Sequence, residues 1–345
     1  MKIKEFHDIY RRVFGDSERW RRWFFSEVVD ESGIYLAREA SGKANGSLLM
    51  QPYTFLFHGA EIPAGYMSCV ATSPEARGRG IAAGLIRQAL SDARRDGQAL
   101  CTLVPAAPHL FYFYARFGFS TVFYVNRERY TALHRFDPCG CSAVMPNYDL
   151  FSRLERDFGC GVLHTREQFD HIVADNSIDG GSVIAVRDAD GAGAIVFAVE
   201  EDNIVRVKCL LADNAATAEG VLAELRAAAE GKAVTVSLPP LSGEKRFLRP
   251  YGMGRVVNPL AILSPVASSH PELRYAIRVT DPILPENNGV YTLRDGESRR
   301  PDAFGGHIDL DVTIDILASA LFSSEAVGRV LELPARRPYM ALMLD

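Results

Sequence analysis

Between Thr72 and Leu90 the chain reads TSPEARGRGIAAGLIRQAL, with Arg77, Gly78, Arg79 and Gly80 set just before a helical pattern. A helix N-terminus presents unpaired N–H groups and partial positive charge, which together attract anions. Gly78, Gly80 and Ala82 are small enough for the backbone to approach a ligand, and Arg77 and Arg79 can add charge-assisted hydrogen bonds. The chemistry of such a loop is phosphate binding. A Walker A loop would need a lysine, and none stands here. The run GRGIAA matches a dinucleotide fingerprint, G-x-G-x-x-A. A polar SPEAR separates it from the preceding strand, however, and no acid stands at the end of the next strand to hold a ribose. The alternative is a glycine-rich turn with solvated arginines.

The other residues that could do chemistry are sparse. Six cysteines (Cys69, Cys101, Cys139, Cys141, Cys160 and Cys209) are scattered, and the close pair, Cys139 and Cys141, lacks Cys-x-x-Cys spacing. They read as reduced, structural thiols. The eight histidines form no H-x-x-x-H or H-E-x-x-H pair, so no metal site is expected. A net charge of -5 over 345 residues argues against a nucleic-acid binder. No apolar run approaches the roughly 18 residues of a membrane span, and the N-terminus is amphipathic without a signal-peptide core. A cytoplasmic protein with no membrane or nucleic-acid partner is expected.

The elements that must position the loop follow from periodicity. Phe6, Ile9, Tyr10 and Phe14 mark a first helix, and ERWRRWFFSEVV a second. GIYLAREA and the stretch from Ala44 to Thr72 read as strands, with a hairpin turn at His58-Gly59. After the loop, Ile81, Leu85, Ile86, Ala89, Leu90 and Ala93 share one helical face. ALCTLVP is a buried strand, HLFYFYARFGF a short aromatic helix ending at Gly118, and STVFYVNRERYTAL closes the unit. FDPCGCSAVMPNYD and SGEKRFLRPYGMGRVVNP read as linkers. The block between them repeats the strand-helix-strand order without the glycine-arginine loop. A third block runs from about Met253.

Arg77, Gly80 and Ala82 spell [RQ]-x-x-G-x-[GA], which resembles the pyrophosphate loop of the GNAT acetyltransferase superfamily. YMSCVAT before it resembles the superfamily's central strand, and FYFYARFGF the signature that closes its cofactor cleft. The resemblance implies acetyl-CoA as cofactor, held by Val70, Ala71, Thr72, Arg77, Gly78, Arg79, Gly80, Ile81 and Ala82. It implies an amine acceptor. Backbone donors near Val70 and Ala71 would stabilise the oxyanion. Aligning on Gly118-Phe119 places the family's acid at Tyr114. A phenol of pKa about 10 can protonate a departing thiolate of pKa about 8.5. Tyr114 also reads as a core aromatic, and Tyr112 is its nearest rival.

Along nearly its full length the chain is similar to the Eis-like acetyltransferases, most strongly across residues 64 to 119. The implied fold is α/β (α+β): two GNAT-like mixed-sheet domains followed by a sterol-carrier-like α+β domain. The expected divisions are 1-137 (catalytic), 146-245 (degenerate) and 253-345 (sterol-carrier-like). The resemblance implies a homo-oligomer and, as substrate, a small-molecule amine such as an aminoglycoside or polyamine. It also makes the terminal carboxylate, here on Asp345, the general base. Eis-like chains usually end in an aromatic residue, so Asp345 brings a second carboxylate that could share that role or interfere. Trp20, Trp23, Phe24 and Phe25 read as acceptor-pocket walls or as core. Two other functions stay open: a lipid- or small-molecule-binding protein whose GNAT half only binds coenzyme A, and a nicotinamide-dependent oxidoreductase.

Overall fold

The structure is a computed structural model that describes residues 2–178, 180–229, 232–239, 248–323 and 333–344. Two compact units divide the chain. The first gathers residues up to Phe123 and Tyr251–Pro338, and the second Tyr124–Pro250 and Tyr339–Leu344.

The first unit opens with α1 (Lys2–Val13) and α2 (Glu18–Trp23). Phe6, Ile9 and Tyr10 fall three and four residues apart and are buried on one face of α1. The second helix is shorter than its sequence suggests. Ser17 caps it by accepting from Trp20 N, and past Trp23 the backbone widens into a π-turn over Phe24–Val28. Trp20 and Phe24 are buried and stack with ring centroids 4.6 Å apart, while Trp23 and Phe25 are half-buried. The aromatic quartet is therefore split between core and partial exposure.

Strands β1 (Ile34–Arg38), β2 (Ala44–Phe57) and β3 (Ala60–Thr72) form an antiparallel meander. The β2–β3 turn sits at His58 and Gly59, both at positive φ, as a tight hairpin turn needs. Helix α3 (Ile81–Arg95) crosses over to β4 (Leu100–Leu103), which pairs with β3 in parallel only from Ala64 to Tyr66. The short α4 (Pro108–Ala115) leads into β5 (Ser120–Tyr130), whose second half lies in the other unit.

In the second unit β6 (Ser142–Val144), α5 (Tyr148–Asp157), β7 (Gly161–Leu163) and α6 (Arg166–Ile178) precede a meander of β8 (Ser182–Arg187), β9 (Gly193–Glu201) and β10 (Ile204–Ala212). Helix α7 (Ala215–Ala228) then crosses to β11 (Ala233–Leu238), parallel to β10. This is the β2–β3–α3–β4 order again: antiparallel hairpin, helix, parallel strand. The apolar tail belongs here. Tyr339 pairs with the β7 backbone through Val162 N and Cys160 O, and its hydroxyl meets Cys209 Sγ at 3.3 Å.

The chain re-enters the first unit through β12 (Leu248–Val256), antiparallel to β4 from Met253–Leu103 to Val256–Leu100. This corrects the reading of that stretch as a linker. Pro250, Gly252 and Gly254 give it a loop's composition, but Gly254 is required by packing: a Cβ there would meet Val122 Cγ2 at 2.8 Å. Next comes α8 (Pro259–Ser269), which its prolines at 259 and 265 disguise. The third block adds a four-stranded sheet, β15-β14-β13-β16: β13 (Tyr275–Thr280), β14 (Gly289–Arg294), β15 (Glu297–Arg299) and β16 (Leu310–Thr313), closed by α9 (Ile314–Leu321).

Candidate active site

The glycine-arginine loop builds one wall of a cleft in the first unit. Gly78 and Gly80 have φ of 77° and 76°, the left-handed region that non-glycine residues avoid. A Cβ at either would meet nothing within 4 Å, so backbone conformation alone demands glycine here. Gly80 is the N-cap of α3 and has no capping side chain to satisfy the first turn. The N–H groups of Ile81, Ala82 and Ala83 therefore lack intrahelical acceptors. Gly46 on β2 lets α3 start this close to the sheet: a Cβ there would lie 2.4 Å from Ile81 Cγ2.

The cleft has a volume of about 450 Å³. Thr72, Arg77, Gly78, Gly80, Ile81 and Ala82 line it, together with Ala76, Ala83 and Arg87. Its other wall is the end of α4, with Phe113, Arg116 and Phe117. Arg79 is outside the lining; its Nη2 donates to Glu75 O at 3.2 Å. Phosphate-bearing cofactors fit this set, because it offers unpaired amides, left-handed glycines and guanidinium groups.

Val70 and Ala71 sit where β3 is distorted. The β2–β3 register slips between Ser47 and Leu49, and Cys69 takes a φ of 52°. Ser47 Oγ donates to Cys69 O at 3.4 Å across that bulge. Because pairing with β4 ends at Tyr66–Thr102, the edge from Val70 to Thr72 has left the β4 ladder. Of this edge Thr72 lines the cleft, whereas Val70 and Ala71 lie outside its lining.

Tyr114 does not line the cleft. It is 8% exposed and packs among Leu48, Met67, Leu103 and Phe119, with Val70 at the margin of the same cluster. Its ring lies 5.2 Å from Phe113 and 6.0 Å from Phe119, centroid to centroid. Tyr112, by contrast, is 81% exposed. Asp345 lies outside the described residues; the tail before it is packed, with Tyr339, Met340 and Leu344 buried.

Two features went unread in the sequence. Arg87 lies over Phe117, its guanidinium carbon 5.4 Å from the ring centroid, and Arg116 lies over Phe113 at 4.9 Å. Gly80, Ala83 and Arg87 are spaced three and four apart, so the helical face was a usable signal. The other is Arg255, fully buried, whose Nε donates to Phe117 O at 2.7 Å while Nη2 meets both oxygens of Asp281 at 2.8 Å. It holds the turn after α4 against the third block. Gly118, in that turn, has a φ of 81°, and a Cβ would meet Ile314 Cγ2 at 2.8 Å.

Residues 1–122 match the family model described as an acetyltransferase (GNAT) domain, and residues 246–333 that of a sterol carrier protein domain. The chain is an acyltransferase with a GNAT domain. No curated protein matches the sequence. Among solved structures, a GCN5-related N-acetyltransferase from Kribbella flavida is 18% identical, with 100% of this chain and 96% of that one covered at a TM-score of 0.75. A protein from Enterococcus faecalis V583 described as a probable N-acyltransferase is 14% identical, with 98% and 97% covered at 0.77. Eis1 from Mycobacterium abscessus is 14% identical, with 96% and 90% covered at 0.70. At these identities the likeness is one of fold. The GNAT domain takes in the loop, the bulged strand and the α4 turn.

Among the described residues no helix is long and apolar enough to cross a membrane, and no group of three or more His, Cys, Asp or Glu could hold a metal.

Proposed function

We propose that this acyltransferase is an acetyl-CoA-dependent N-acetyltransferase acting on a small-molecule amine, such as an aminoglycoside or other polyamine. The observation that carries the reading is the cleft. Two left-handed glycines and an uncapped helix start line it together with three guanidinium groups, beside a strand edge that has left its ladder. When bound, acetyl-CoA supplies a thioester as acyl donor. The α3 amides and Arg77 bind and orient phosphate oxygens. Val70 and Ala71 present main-chain donors to the acyl carbonyl.

Tyr114 protonates the departing sulfur; it follows Phe113, which lines the cleft, and shares a cluster with Val70 of the bulged strand. The terminal carboxylate of Asp345 serves as base for the amine. The chain works in the cytoplasm as a homo-oligomer, divided at 1-137, 146-245 and 253-345 into catalytic, degenerate and sterol-carrier-like parts.

The test is thiol release from acetyl-CoA across a panel of amines. Tyr114→Phe should slow turnover about 100-fold with the KM for acetyl-CoA little changed, as loss of a general acid does. Unchanged turnover would remove Tyr114 from the mechanism. Deleting Leu344 and Asp345 should depress turnover and spare acetyl-CoA affinity. The reverse pattern would remove the terminus.

A further inference from the structure

The cleft holds more positive charge than a diphosphate needs. Its lining contains Arg77, Arg87 and Arg116 and no Asp or Glu. Among the described residues none of the three is within ion-pair distance of a carboxylate; their hydrogen-bond partners are the carbonyls of Thr72, Ala83 and Phe113, at 3.4–3.5 Å. The three are also held differently. Arg77 stands with the loop and the first-turn amides of α3. Arg87 and Arg116 rest on Phe117 and Phe113, neighbouring rings whose centroids are 5.4 Å apart. A guanidinium over a ring face keeps N–H groups free for a ligand, and their fork matches the oxygens of a phosphomonoester. A diphosphate seated on the amide wall leaves this second pair for another anion on the same ligand.

We infer that Arg87 and Arg116 form a subsite for the 3′-phosphate of coenzyme A, so that the enzyme selects the 3′-phosphorylated cofactor over its dephospho form. This rests on the coenzyme A reading above. Both side chains are exposed, so they can be replaced without disturbing the core, and their pull on the ligand is weakened by salt.

The experiment is calorimetric titration of the full chain at low ionic strength with coenzyme A and with 3′-dephospho-coenzyme A. The wild type should bind coenzyme A about tenfold more tightly, the scale of a charge-assisted contact at an open site. In the Arg87→Met/Arg116→Met variant that ratio should collapse toward one, through weaker coenzyme A binding and unchanged dephospho binding. Equal affinities in the wild type, or a variant that loses both ligands alike, would overturn the subsite while leaving the coenzyme A reading intact. If neither ligand binds the wild type, both fall.

Discussion

Two places in the first unit use arginine in opposite ways. Along the cleft, Arg77, Arg87 and Arg116 are exposed, and among the described residues their hydrogen-bond partners are carbonyls at 3.4–3.5 Å. At the seam where β12 and the third block pack on the GNAT domain, Arg255 is fully buried and saturated. Three of its nitrogens reach Phe117 O, Val256 O and the Asp281 carboxylate. Burial acts to strip the proton from Arg255 and the adjoining Asp281 acts to hold it. Asp281 is engaged again by the N–H groups of Ile283 and Leu284 and by Asn287, whose Oδ1 accepts from Arg94 of α3. A desolvated charge is tolerated only when its partners are complete. A charge kept for a ligand has to stay wet and unpaired. On the proposed reading, exposure and pairing thus separate an arginine that builds the protein from those that hold the cofactor.

The largest expected effect lies at the seam. Arg255→Met leaves Asp281 buried without its cation and should cost about 3–5 kcal/mol of unfolding free energy. Urea melts measure this, and a loss below about 1 kcal/mol would mean the network is not sealed from water. His58 provides a milder probe of the same seam. It is half-buried, Nε2 lies 2.9 Å from Pro334 O, and its ring meets His270 at 5.2 Å. Burial first, then Arg336, pushes its pKa down to about 4, whereas an unfolded histidine titrates near 6.5. The unfolded chain therefore takes up this proton first as pH falls. Stability should decline from about pH 6.5 and level off near pH 4. His58→Asn suits the positive φ of the turn and removes the titration, so its melts should lack this part of the pH dependence. Parallel pH profiles for variant and wild type would exclude His58 as the source.

The same contrast explains what could be read beforehand. The loop was legible because backbone conformation dictates residue type: left-handed turns need Gly78 and Gly80, and the α3 face repeats at helical spacing. The hairpin at His58-Gly59 and the repeated architecture of the second unit were legible for the same local reasons. Strand β12 was not, because its glycine and proline content mimics a loop. Gly254 is explained only by Val122, which is 132 positions away in sequence. Arg255 fell within the stretch that reads as a linker, and nothing local says that Asp281 will meet it. Arg116 was invisible because its place over Phe113 depends on how α4 ends.

At the cleft the expected stability effects are smaller and the functional ones larger. Gly80→Ala keeps free space around the new methyl but forces it into a φ of 76°, at a cost of about 1 kcal/mol. Should Ala relax that backbone instead, the first-turn amides turn away and acetyl-CoA binding weakens further. The smallest structural effect belongs to Arg77→Met. Arg77 is exposed, with Thr72 O at 3.5 Å as its hydrogen-bond partner, so unfolding free energy should move by no more than about 0.5 kcal/mol. Its KM for acetyl-CoA should rise about tenfold, and that penalty should shrink as added salt screens the wild-type contact. A variant that melts early but keeps its KM would place Arg77 with Arg255, as a structural cation. The division between the wet arginines and the dry one would then fail at the residue where the loop motif begins.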